Sequence, residues 1–102
     1  MIKYTVYYIF VLIIEDPVVV FESINETIEV ISYFSVERMR PLRFRWRDRA
    51  YHIRHIQAVW NHPAGANCYV HYHVTTKESG TFELVYDSGK MQWILGRVCL
   101  DE

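Results

Sequence analysis

The chain has 102 residues, of which 51% are hydrophobic and 16% aromatic, and its formal net charge is −1. This length predicts one domain over residues 1–102, and so much apolar content excludes a disordered chain. A net charge close to zero does not identify a partner by itself. The many Tyr, Phe, Val and Ile residues favour strands over helices.

The first 25 residues form an apolar N-terminal extension in which Tyr4–Ile14 is almost wholly apolar. No small-residue cleavage site follows it, and as a helix it would reach only about 16 Å, so we reject both a signal peptide and a membrane span. A strand that is apolar on both faces needs cover on both sides. The sequence therefore predicts a homodimer through Tyr4–Ile14, with a central strand inside the fold as the competing outcome.

Arginine is concentrated in residues 38–54, which contain seven arginines and one carboxylate, Asp48. Within Leu42–Arg47 arginine alternates with apolar residues. This period of two is typical of a half-buried strand with one packed face and one cationic face. The rest of the chain has four Lys or Arg residues against eleven carboxylates, so the charge is segregated.

Three turns fix three strand registers in the C-terminal three-fifths of the chain. A two-residue turn at Arg47–Asp48 places the apolar side chains on one face and the cations on the other. The predicted pairs are Trp46 with Arg49, Phe44 with Tyr51, Leu42 with Ile53, Arg43 with His52, and Arg45 with Ala50.

The other two turns are read in the same way. A three-residue loop that ends at Gly80 pairs Lys77 with Thr81, and a turn at Ser88–Gly89 pairs Asp87 with Lys90. A phase change between residues 53 and 56 predicts a bulge, and residues 61–67 are predicted to be a loop. The predicted core is Leu42, Phe44, Tyr51, Ile53, Val70, Tyr72, Val74, Phe82, Leu84, Tyr86, Trp93 and Leu95.

These patterns predict an all-β fold, an antiparallel meander of about seven strands that forms a small barrel or a strongly twisted sheet. We find no phosphate-binding glycine loop, nucleophile elbow or metalloprotease motif, so we predict no enzyme and no cofactor. His52, His71 and His73 share a predicted face, but without a cysteine ligand they are a weak zinc site, and we interpret them as surface imidazoles. Cys68 and Cys99 are interpreted as free thiols in the cytoplasm.

Two blocks of the sequence resemble a small bacterial domain family of unknown function. The family pattern Arg-Phe-x-Trp-Arg-Gly-Arg-x-Tyr-x-Val is similar to residues 43–53, and a later family block is similar to Phe82–Val98; Thr27–Val30 is similar to the opening strand. The resemblance covers about residues 26–98 and departs at Asp48, where glycine is usual. It implies a domain found alone or as a tail on error-prone DNA-polymerase-like proteins, and so favours a nucleic-acid context.

Two functional hypotheses follow. The first is a non-enzymatic module that binds the phosphate backbone of nucleic acid through arginine forks, with Tyr69 as a surface aromatic for stacking. The second is a structural protein–protein interaction domain whose arginine face pairs with acidic surfaces. An open arginine face favours the first, and a face covered by carboxylates favours the second. The candidate binding residues are Arg43, Arg45, His52, Arg54, Tyr69, His71 and His73.

Overall fold

The computed structural model describes residues 21–100, which form a closed barrel of antiparallel strands in chain order. The all-β meander is confirmed, with six strands in this range where the sequence predicted about seven. The predicted strand at Tyr4–Ile14 lies outside the described residues. The strands are β1 Glu22–Phe34, β2 Met39–Trp46, β3 Arg49–Ala64, β4 Asn67–Thr76, β5 Thr81–Asp87 and β6 Gln92–Cys99, and β1 pairs with β6 to close the barrel.

The β2–β3 hairpin has the predicted register around Arg47–Asp48 in four of the five predicted pairs, but Ile53 pairs with Thr76 and not with Leu42. Both turn residues have positive φ, 52° and 63°, as a type I′ turn requires, so Asp48 takes the left-handed conformation where glycine is usual. The prediction that Leu42 belongs to the core is wrong. Ile31 pairs with Arg43 and Ser32 with Pro41, so Leu42 is the extra residue of a bulge and is 42% exposed.

The predicted β4–β5 register is wrong by two residues. Val74 pairs with Phe82, not with Leu84. The reason is the turn, in which the Thr76 hydroxyl donates to the carbonyl of Ser79 (3.0 Å) and Ser79 takes positive φ (79°), so the loop closes one residue earlier than predicted. A shift of two keeps the same side chains inside, which is why the apolar face survives the error.

The predicted β5–β6 register is also wrong. It is off by two residues over Leu84–Asp87, where Leu84 pairs with Leu95, and by three beyond a bulge, where Phe82 pairs with Val98. The carboxylate of Asp87 accepts hydrogen bonds from the backbone N–H groups of Gly89 (3.0 Å) and Lys90 (3.2 Å). These bonds stabilise a longer turn that ends at Met91, where φ is 53°. The turn residues, and not the apolar pattern, therefore decide this register.

The long strand β3 has two partners along its length. It pairs with β2 only over Arg49–His52, and from Ile53 onward it pairs with β4. The bulge predicted near residues 53–56 is confirmed by register shifts on either side of Ile56. The predicted loop over residues 61–67 is wrong, because both strands continue to a short turn at Gly65 (φ 63°). Because β3 changes its partner at Ile53, β2 and β3 diverge beyond the Arg43–His52 pair.

The barrel interior holds one hydrophobic core in which Val74, Phe82, Leu84 and Leu95 are completely buried. Eight of the twelve predicted core residues are buried. Ile53, Val70 and Tyr86 are partly buried against them. The core also contains Ile28, Trp46 and Val98.

Candidate functional site

The outer side of β2 and of the first part of β3 has the densest positive charge in the described chain. Phe44 and Trp46 point into the barrel, so the alternating residues Arg43 and Arg45 point to solvent. His52 lies directly opposite Arg43 on the neighbouring strand. We call Arg43, Arg45 and His52, together with the exposed Arg54 two residues further along β3, the arginine surface.

The carboxylates of the described chain contact only part of this region. Glu26 accepts a hydrogen bond from Arg47 (2.8 Å), and Glu29 lies 4.0 Å from Arg45 at an exposed position. The hydrogen bonds from Arg47 and then from Trp46 hold the pKa of the Glu26 carboxyl below its usual value. The arginines of residues 38–54 that form no ion pair with a described carboxylate are Arg38, Arg40, Arg43, Arg49 and Arg54.

His52 is fixed at the edge of the arginine surface by one carboxylate. Glu78 accepts from the backbone N–H of His52 (2.8 Å) and lies 2.6 Å from its Nδ1. The side-chain hydrogen bond is the main reason why the pKa of Glu78 is lowered. This edge of the surface is therefore partly neutralised, while Arg43 and Arg54 stay unpaired within the described chain.

A cleft of about 880 Å³ opens where β2 and β3 diverge, beside the arginine surface. Its floor is the inner side of β3, β4 and β5, with Val59, Val70 and Tyr86 among the lining residues. The Tyr72 hydroxyl donates to the carbonyl of Met39 (2.8 Å) and so ties β2 to β4 at the floor. Burial raises the pKa of Tyr72.

The rim of the cleft is cationic. It contains Arg38, Arg40 and Arg54, and Glu37 is the only carboxylate among the described residues that line the cleft. Next to it, Arg40 lies over the ring of Tyr33 (5.1 Å), and the neighbouring Phe34 is 69% exposed. Sequence reasoning missed this site because it depends on where two strands separate, and only the bulge signal in β3 pointed to it.

The remaining candidate residues lie on the outer side of β4. His71 pairs with Trp60 and His73 with Ala58. On β4, the backbone N–H of Lys77 donates to the carbonyl of His52, and His73 lies four residues further along, about 13 Å at about 3.3 Å per residue. The structure therefore brings Arg43, Arg45 and His52 together, places Arg54 at the bulge of β3 in the lining of the cleft, and puts Tyr69, His71 and His73 in a second group.

This second group surrounds a buried carboxylate. Glu83 on β5 is 7% exposed, and its two oxygens contact His71 Nδ1 (2.7 Å) and Arg97 Nε (2.6 Å). Burial opposes ionisation of Glu83 more than any one contact favours it. The hydrogen bonds from His71 and Arg97, together with the charge attraction of both groups, outweigh burial, so the pKa of Glu83 is lowered. We call His71, Glu83 and Arg97 the Glu83 cluster.

The imidazoles of the second group are packed as aromatic rings. Trp60 stacks on His71 at 5.0 Å between ring centroids, and Phe21 meets the edge of the His73 ring at 5.6 Å. Both Nε2 atoms are buried and have no hydrogen-bond partner among residues 21–100. Tyr69 contacts His62 (6.2 Å) and is half-buried. These contacts limit how far the second group can reach a ligand.

Residues 21–100 also contain metal-ligating side chains and two thiols. No group of three or more His, Cys, Asp or Glu side chains there is placed to hold a metal ion. Cys68 and Cys99 are free thiols. Across the same range, no helix has the length and apolar character needed to span a membrane.

Comparison with known proteins identifies the family. The family model for a domain of unknown function, DUF6504, matches residues 17–99, and the chain belongs to this family. The match begins before residue 26, where the motif resemblance begins. No curated protein and no solved structure matches the chain.

Proposed function

We propose that this DUF6504 domain binds the phosphate backbone of nucleic acid through the arginine surface. The observation that carries the proposal is the open state of Arg43 and Arg54, which are exposed and form no ion pair with a described carboxylate. Like charges on one face repel each other, and an external anion relieves that repulsion. Phosphate is the anion that the arginine fork fits best, because two parallel hydrogen bonds form.

Affinity is expected to be modest and dependent on salt. The surface offers about four cationic groups, so the logarithm of the binding constant should fall with the logarithm of salt at a slope of about −3 to −4. Nearby carboxylates such as Glu29 and Glu78 reduce the local potential. We therefore expect a micromolar dissociation constant, with little sequence preference, because backbone contacts do not read bases.

Fluorescence titration of single- and double-stranded oligonucleotides at about 50 mM salt tests the proposal. The parent should bind, and Arg43→Glu/Arg45→Glu should bind about 100-fold more weakly, since each charged hydrogen bond to phosphate is worth about 1.5 kcal/mol or more. The absence of binding by the parent, or equal binding by both proteins, would contradict the proposal.

A matched pair of single variants separates a local site from net charge. Arg43→Glu and Lys90→Glu each reverse one exposed cation, but Lys90 lies on the β5–β6 turn, outside the arginine surface and the cleft lining. Only Arg43→Glu should weaken binding strongly. An equal loss in both variants would indicate a response to overall charge.

The alternative function is a protein-interaction domain whose arginine face pairs with acidic surfaces. It is supported by two ion pairs within the chain, in which Glu26 and Glu29 of β1 contact Arg47 and Arg45. An acidic partner would extend these contacts to Arg43 and Arg54. A parent protein that ignores every oligonucleotide in the titration would favour this alternative.

A further inference from the structure

We infer that the cleft between β2 and β3 receives an unpaired nucleic-acid strand. This inference rests on the proposed function and narrows its ligand to single strands. The cleft adjoins the arginine surface, and Arg54 belongs to both. A backbone held outside by Arg43 can therefore continue into the cleft.

The floor of the cleft suits the faces of unpaired bases. Val59 is 52% exposed, and Val70 and Tyr86 are half-buried, so apolar and aromatic surface is open to solvent there. A volume of about 880 Å³ lies within the range of ligand sites, about 300–1,000 Å³. A duplex keeps its base faces stacked inside and presents its backbone, so only an unpaired strand can bring them to this floor.

The rim supplies the complementary charge. Arg38, Arg40 and Arg54 form no ion pair with a described carboxylate, and they line the same cleft as its apolar residues. Cations above apolar surface match a ligand that has an anionic backbone and flat apolar groups. Tyr33 beneath Arg40 and the exposed ring of Phe34 offer further stacking surface beside the cleft.

An extended acidic peptide is the main competitor, and the strand edges argue against it. A peptide that adds to a sheet needs a regular row of backbone donors and acceptors. On β2, Pro41 has no N–H and the carbonyl of Met39 already accepts from Tyr72. On β3, register shifts on both sides of Ile56 interrupt the row. Recognition through side chains is therefore favoured over strand addition.

The test compares three probes with the same number of phosphates, about 12. They are a thymidine single strand, the same strand with abasic sites in place of most bases, and a duplex with half the base pairs. The thymidine strand should bind about tenfold more tightly than either of the others, because only it offers base faces. Equal affinities would overturn the cleft inference and leave the arginine surface intact, whereas no binding of any probe would remove both proposals.

A second measurement introduces a negative charge at the floor of the cleft and compares binding of the thymidine strand before and after the substitution. Val59→Glu should weaken binding of the thymidine strand about tenfold, while Met91→Glu, an equal charge change at an exposed apolar residue of the β5–β6 turn, should not. Duplex binding should respond equally to the two variants. A tenfold loss in both variants would overturn the inference, as would tighter binding of an alternating Glu–Val peptide than of the thymidine strand.

Discussion

The arginine surface and the Glu83 cluster use the same residue types in opposite environments. On the arginine surface, Arg43 is exposed and has no ion pair with a described carboxylate. In the Glu83 cluster, a carboxylate that is 7% exposed accepts hydrogen bonds from both His71 and Arg97. Both lie on outward-facing positions of one barrel.

The difference lies in how each charge is satisfied. A buried carboxylate is stable only if hydrogen-bonded cations replace the water that it loses, so the Glu83 cluster contributes to folding. Exposed cations keep their hydration, contribute little to stability, and leave a potential that an external anion can use. One region is therefore expected to govern folding and the other binding.

The largest expected effects on stability are those of substitutions in the core. Because the core lies beneath both regions, these substitutions should not distinguish the arginine surface from the Glu83 cluster. Phe44 lies under the arginine surface and Leu84 under the Glu83 cluster, and both are buried. Phe44→Ala should lower the free energy of unfolding by about 3–5 kcal/mol, and Leu84→Ala by about 2–5 kcal/mol. Urea unfolding measures both, and a loss below about 1 kcal/mol in either variant would contradict the described packing.

The next effect should separate the two regions. Glu83→Gln removes the carboxylate charge that contacts His71 and Arg97, and should lower stability by about 3 kcal/mol, the lower end for a broken buried pair because the Arg97 side chain is 38% exposed. The matched variant Glu29→Gln, at a side chain 87% exposed, should change it by less than about 0.5 kcal/mol. Equal losses in urea unfolding would remove the distinction.

The pH dependence of stability sharpens the same comparison. Because the pKa of Glu83 is lowered in the folded state, the unfolded chain binds its proton first as pH falls. The contribution is present above the ordinary value of 4.5 and is lost as pH falls through the lowered folded-state value. The stability difference between the parent and Glu83→Gln should therefore shrink from about pH 6 to about pH 3. A constant difference in urea unfolding would contradict a lowered pKa.

The β2–β3 hairpin could be predicted from the sequence because two signals coincide there. Alternation in Leu42–Arg47 fixes which residues face inward, and a turn of two residues leaves one register. In the β4–β5 and β5–β6 hairpins, alternation fixes which side chains face inward but does not fix the register, since a shift of two residues leaves the same side chains inside. There the hydrogen bonds of Thr76 and Asp87 decide, and they form only once the turn exists.

The arginine surface followed from alternation, but its extent did not. The prediction that His71 and His73 lie beside Arg43 assumed that the same residues of β3 pair with β2 on one side and with β4 on the other. Instead, β3 changes its partner at Ile53. The role of Glu83 was also missed, because an acidic residue in an alternating strand is normally exposed. Its burial depends on cross-strand contacts with His71 and Arg97, which no local pattern encodes.

The homodimer through Tyr4–Ile14 stays a prediction, since that segment lies outside the described residues. Its basis is the apolar character of both faces of the segment, which favours burial against a second copy. Sedimentation of the full chain at high micromolar concentration measures the assembly state. A monomer under those conditions would reject the dimer and favour a strand within one chain.

The smallest change in stability is expected from the arginine surface itself. Arg43→Ala/Arg45→Ala removes one unpaired cation and one that lies 4.0 Å from an exposed carboxylate, so the free energy of unfolding should change by less than about 0.5 kcal/mol. The same variant should reduce the salt slope of oligonucleotide binding by about 2, because two phosphates are no longer neutralised by arginine. A stable variant with an unchanged slope would place the phosphate-binding groups elsewhere, while a large loss of stability would show that these arginines support the fold in the way that Glu83 does.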